Sequence, residues 1–303
     1  MRAKLAAAAK RALFATGATS RRLAQISFPG VAVLAYHGVR ADARVSMPFA
    51  GLHVTAAELA AHCRLVAETC QPISLETWFA AEAGGPPLPP RPVLLTFDDG
   101  YRSVLELGLP ILIRYQVPAV VFAVSQVSAQ GRLTWYDALA RARGEAAVDA
   151  VKSADADRWR AAVAAAPEAS LDDPCALLSP SEIRRLAASD QVEIGGHTAH
   201  HPILARLTAG EQRDEIASDR QALQTWTTTA VRAFAYPNGR PGIDYDADSV
   251  AAVAQAGYRI AFTTRYAFSR ADEPALERSR FVMLSGLGPA ELAHRLLRFA
   301  EAA

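Results

Sequence analysis

Asp98 and Asp99 stand side by side, after the apolar run Val93 to Phe97 and before Gly100. Adjacent carboxylates can take different jobs when a cation neutralises one of them. The liganded one stays ionised and the other is free to act as a base. In His197-Thr198-Ala199-His200-His201-Pro202, His197 and His201 are four residues apart. On a helical turn that spacing puts both rings on one face, as in other His-x-x-x-His zinc sites. Two imidazoles and one carboxylate leave a coordination position open, the mark of a catalytic rather than a structural zinc. Zinc lowers the pKa of its water toward about 7 and so makes a nucleophile at neutral pH. His200 would point elsewhere on the turn and reads as an exposed or satisfied histidine. His37, in Tyr36-His37-Gly38-Val39, could protonate a leaving group if it reaches the same face, although a strand-end histidine is often structural. Trp135-Tyr136-Asp137 opens an alanine-rich stretch, and its aromatics could stack on a sugar or anchor a core.

These residues follow short apolar runs that read as buried strands: Val31 to Tyr36, Val93 to Phe97, Val192 to Gly195 and Ala233 to Tyr236. Ala119 to Val124 and Arg259 to Thr264 read the same way. Helical patterns lie between them. Thr55 to Cys70 opens with a capping box, Thr55 and Glu58. Gly108 to Tyr115, Ser181 to Ala188 with Ser181 as cap, Ala209 to Thr225, Asp248 to Ala256 and Pro289 to Ala300 follow. Strand-helix alternation favours a parallel α/β sheet or barrel, where ligands bind at the C-terminal strand ends. Residues 126–178 read as a helical insertion between two strands.

The chain has 303 residues, of which 51% are hydrophobic, enough for a large core. A net charge of +1 argues against a nucleic-acid partner. Cys63, Cys70 and Cys175 are the three cysteines and form no Cys-x-x-Cys pair, so reduced, buried thiols are expected. Residues 1–30 read as a basic, alanine-rich helical arm, and 31–303 as the main domain. The arm would pack on the domain edge or make peripheral contact with an anionic membrane surface. No clean apolar segment marks a secretory signal, so the expected place is the cytoplasm or the inner membrane face.

Taken together, Thr96-Phe97-Asp98-Asp99-Gly100 and His197-Thr198-x-x-His201-Pro202 resemble the polysaccharide deacetylases of the NodB-homology type, carbohydrate esterase family 4. The resemblance covers about residues 31–265. It implies a distorted (β/α) barrel and removal of N-acetyl groups from an N-acetylhexosamine glycan. It implies one divalent metal on Asp99, His197 and His201, zinc first, with nickel, cobalt or iron fitting the same ligands. Asp98 would be the general base, and the backbone N–H of Asn238 would hold the oxyanion. Tyr36-His37-Gly38-Val39 resembles a branch whose early strand supplies the acid histidine, here His37. Trp135 and Tyr236 are expected to touch the glycan. In Phe234-Ala235-Tyr236-Pro237-Asn238-Gly239, Ala235 stands where the family places an arginine that orients the base. Arg278 or Arg280 could replace it. The alternatives are a deacylase of a small or lipid-linked sugar, and a glycan-binding relative without activity.

Overall fold

The structure is a computed structural model that describes residues 2–302. Ten strands form: β1 (Ala32–Tyr36), β2 (Val39–Arg40), β3 (Val54–Thr55), β4 (Gln71–Pro72), β5 (Pro92–Phe97), β6 (Ala119–Ala123), β7 (Val192–Gly196), β8 (Ala233–Ala235), β9 (Ile260–Phe262) and β10 (Phe281–Val282). Eight of them make one sheet in the order β10-β1-β5-β6-β7-β8-β9, with β4 beside β5, and every pairing is parallel. A parallel bridge between Phe262 and Arg278 links the segment leading into β10 to the far end of the sheet. The sheet thus curls into a distorted (β/α) barrel, as expected.

Strands β1, β5 and β6 are buried along their whole length, as a parallel sheet covered on both faces requires. Alternate residues divide between two cores. Leu34, Leu95 and Val121 face the helices, while Val33, Leu94, Val120 and Phe262 fill the barrel interior. The period of two carries on past Leu94 to Thr96 and Asp98. Asp98 therefore continues the inward face, and its N–H extends the ladder by donating to Tyr36 O at 2.8 Å.

Most helices match the sequence pattern. Ala56–Thr69 has the Thr55–Glu58 capping box. The helix near residue 181 begins earlier, at Pro180–Ala187, because Ser179 caps it with Glu182. Two short helices, Leu75–Glu82 and Ser125–Gln130, carry too little periodicity to be read from sequence. Between β6 and β7 lie Trp135–Arg143, Glu145–Lys152 and Ala156–Ala165. At the N-terminus, Arg2–Ala15 and Ala18–Leu23 lie against the last helix, Pro289–Glu301. Lys10 pairs with Glu291 at 2.8 Å, and Leu23 is wholly buried. All three cysteines are free and buried. Among the described residues no helix is long and apolar enough to cross a membrane.

Candidate active site

The C-terminal ends of β1, β5, β7 and β8 deliver His37, Asp98 with Asp99, His197 and Asn238 to one cleft of about 310 Å³. Asp99, His197 and His201 are buried, and each offers one ligand atom within 4.8 Å of the others. His197 Nε2 and His201 Nε2 lie 3.3 and 3.4 Å from Asp99 Oδ1. Asp99 Oδ1 is buried without a hydrogen-bond partner. Three convergent lone-pair donors, one of them an orphaned carboxylate oxygen, fit a divalent cation. His197 Nδ1 lies 2.6 Å from Ala235 O. A carbonyl only accepts, so the proton sits on Nδ1 and Nε2 presents its lone pair to the cluster.

The two histidines do not share a helical turn. Residues 197–201 form an irregular loop in which Thr198 (φ 70°) and His201 (φ 56°) are left-handed. Two reversals of the chain, rather than helical spacing, bring the rings to 4.9 Å between centroids. His200 turns outward and binds Glu215. Asp99, Asn238 and Phe49 are left-handed as well, so five of the seven non-glycine residues with positive φ lie in this cleft or the loop beneath it. Backbone held in sparsely populated conformations points to function.

Asp219 fastens the loop from behind. Its carboxylate accepts the N–H groups of Ser125 and His197, each at 3.0 Å. Gly196 makes room for it, since a Cβ there would stand 2.6 Å from Asp219 Oδ2. Asp219 sits on the helix Ala209–Thr227, whose polar sequence reads as a solvated face. Nothing in the spacing separates this buried carboxylate from its exposed neighbours.

Arg280 reaches Asp98 with two hydrogen bonds, Nη1 to Oδ1 at 2.7 Å and Nη2 to Oδ2 at 2.9 Å. It also donates to Thr96 Oγ1 and Thr263 O, and it lies between the rings of Phe122 and Phe262. Burial acts to raise the pKa of Asp98, but Arg280 and the nearby His197 outweigh it and hold the carboxyl below its ordinary value. Arg278 instead bonds Glu82 and Arg270 O.

Asn238 N–H has no acceptor among the described residues, and Thr264 Oγ1 donates to Asn238 O at 2.9 Å, holding the next peptide of the same turn. The two expected sugar contacts lie elsewhere. Trp135 is buried with its Nε1–H on His201 O at 2.8 Å, so it braces the loop of residues 197–201 and offers no open face. Tyr236 is stacked on Tyr245 with centroids 3.9 Å apart and donates to Leu276 O. Tyr136 lines the cleft in their place, its ring 4.8 Å from that of His201.

With this geometry stands a match to the family model for polysaccharide deacetylases over residues 85–261. The chain belongs to the polysaccharide deacetylase family. It is 25% identical over 230 residues to the poly-β-1,6-N-acetyl-D-glucosamine N-deacetylase of Escherichia coli K12, with 67% of this chain aligned to 29% of that protein. It thus spans under a third of that relative's length. The fold is similar to the deacetylase PplD of Streptococcus pyogenes, solved with acetate (TM-score 0.65, 18% identity, 90% of this chain and 99% of that one). It is also similar to IcaB of Ammonifex degensii (TM-score 0.61, 20% identity, 89% and 98%).

A further set of residues lies beneath the cleft. His53 Nδ1 accepts the Gly38 N–H at 3.1 Å, beside His37. Burial, with His37 nearby, pushes the His53 pKa down to about 3. A neutral imidazole therefore braces the peptide that carries His37. Tyr101 packs on His53 and donates to Asp137 at 2.8 Å. Burial pushes the Asp137 carboxyl up to about 7, against the opposing Tyr101 and Thr134 hydroxyls. The raised value means that the folded protein binds the extra proton between the ordinary 3.8 and about 7. Stability from this group is complete below the lower value and is lost as pH rises toward the upper one. Asp137→Asn removes that loss. In metal-free protein its stability advantage over wild type should grow by roughly 4 kcal/mol at most between pH 4 and 8. Urea midpoints at both ends of that range check this, and a constant difference would remove Asp137 as the source.

Proposed function

We propose that the chain is a metal-dependent hydrolase that removes N-acetyl groups from an N-acetylhexosamine-containing polysaccharide or its precursor. The observation that carries this reading is the single cleft in which the Asp99-His197-His201 cluster meets the Arg280-bound Asp98. A divalent ion on the cluster, zinc before nickel, cobalt or iron, would supply Lewis acidity that polarises the amide carbonyl and acidifies the attacking water. Asp98 takes the water's proton as general base, kept ionised by Arg280. The Asn238 N–H, free of other acceptors, donates to the oxyanion. His37 gives a proton to the departing amine, and acetate and the free amino sugar leave. The family membership and the E. coli relative's acetylated-glucosamine substrate support a glycan as the partner.

Acetate release from N-acetylglucosamine oligomers of both β-1,4 and β-1,6 linkage tests the reading. Activity should vanish after chelation and return with added zinc. Acetate release that survives chelation would overturn metal dependence. Tight glycan binding by zinc-loaded protein with no acetate released from any oligomer would favour an inactive binding relative.

A further inference from the structure

Three residues that line the cleft carry hydrogen-bond donors with no acceptor among the described residues. Tyr136 Oη and Asn238 Nδ2 are buried atoms without a partner. The third is the half-buried ammonium of Lys152, which enters the cleft from the insertion helix Glu145–Lys152. The carboxylates near it are Asp149, Asp244 and Asp99. Asp244 gives both oxygens to Arg240, at 2.8 and 2.9 Å. Asp99 belongs to the metal cluster. Asp149 lies one turn back on the same helix and is exposed. None of the three forms an ion pair with Lys152 among the described residues. Withdrawing an ammonium from water without a hydrogen-bonded carboxylate costs free energy that a ligand can return.

We propose that Lys152 selects N-acetylated sugars that carry an anionic substituent, a carboxylate or a phosphate, next to the acetamide under attack. The inference rests on the deacetylase reading of the cleft. Tyr136 and Asn238 then take neutral acceptors of the same sugar, and Lys152 takes the charge. A carboxylate would come from a neighbouring uronate in a polymer, a phosphate from a sugar phosphate or its lipid-linked form.

Equilibrium binding to the full chain tests this with four probes. They are the methyl glycoside of N-acetylglucosamine, its 1-phosphate and 6-phosphate counterparts, and a disaccharide of N-acetylglucosamine with glucuronate. At least one anionic probe should bind about 10-fold more tightly than the neutral one, the worth of a charge-assisted contact. The phosphate and glucuronate arms tell the two sources apart. Lys152→Met should remove the difference and Lys152→Arg should keep it, with and without zinc. Equal affinity for all probes overturns the proposal. So does a preference that persists in Lys152→Met, which would place the anion on the metal if it needs zinc and on Arg240 if it does not. Acetate release from neutral oligomers without any Lys152-dependent preference sinks this inference and spares the deacetylase reading. A Lys152-dependent preference with no acetate released from any substrate does the reverse.

Discussion

Replacing His197 and His201 together by alanine is expected to abolish zinc binding, with wild type holding an equimolar amount after mild chelation and re-addition. The cluster has three ligands, so removing two leaves only Asp99. One carboxylate in a buried pocket does not hold zinc against water. The single variants should differ from each other. His197 has its tautomer fixed by Ala235 O and its backbone fixed by Asp219. His201 Nδ1 is buried without a partner, although Trp135 and Thr198 hold its backbone. Losing either ring should weaken zinc at least 100-fold, and Asp219→Ala, which frees the loop, about 10- to 100-fold. Elemental analysis and competition with a chromogenic chelator read these out. Zinc retained in the double variant would move the metal away from this cleft. The fold should survive the double change, because the cluster without metal is three polar groups whose buried lone pairs face one another.

The sequence made the strand ends legible, because each chemical residue follows an apolar run that could only be buried. It also showed the order of the motifs along the chain. It did not show why the two histidines meet. The spacing of four suggests a helix, but Thr198 and His201 reverse the backbone instead, and left-handed threonine and histidine leave no mark in a hydrophobic pattern. The braces were equally hidden. Asp219, His53 and Lys152 lie about 20, 15 and 50 residues from the groups they face, and such partners are a property of packing rather than spacing. Trp135 shows the converse. An aromatic beside a catalytic loop fits a sugar platform and a core brace equally well, and only its burial decides.

Outside the ligands themselves, Arg280→Met should produce the largest loss of stability, and a loss of activity second only to changes at Asp98. The family resemblance puts an arginine where this chain has Ala235, and Arg280 reaches Asp98 from the segment that leads into β10. It is wholly buried, and its partner Asp98 is nearly so. Methionine keeps the apolar packing between Phe122 and Phe262 but leaves a carboxylate buried alone. Breaking one side of a buried pair costs about 3–5 kcal/mol. With Arg280 gone, only the nearby histidines oppose burial, so the pKa of Asp98 moves up and the penalty appears as pH rises above the ordinary carboxylate range. Below that range Asp98 is protonated and the variant should recover much of its stability. The double variant Asp98→Asn with Arg280→Met should be more stable at pH 7 than Arg280→Met alone, because no lone charge remains. For activity, Asp98 in the single variant ionises less readily and is no longer aimed by the arginine, so kcat should fall about 100-fold or more, with zinc content unchanged. Asp98→Asn should lose at least as much, again with zinc bound. Chemical denaturation at pH 4 and 7, read beside acetate release, separates these effects. Unchanged turnover in Arg280→Met would remove the arginine from the role of orienting the base. A pH-independent loss of stability would show that its packing between two phenylalanines, rather than its charge, is what the fold requires.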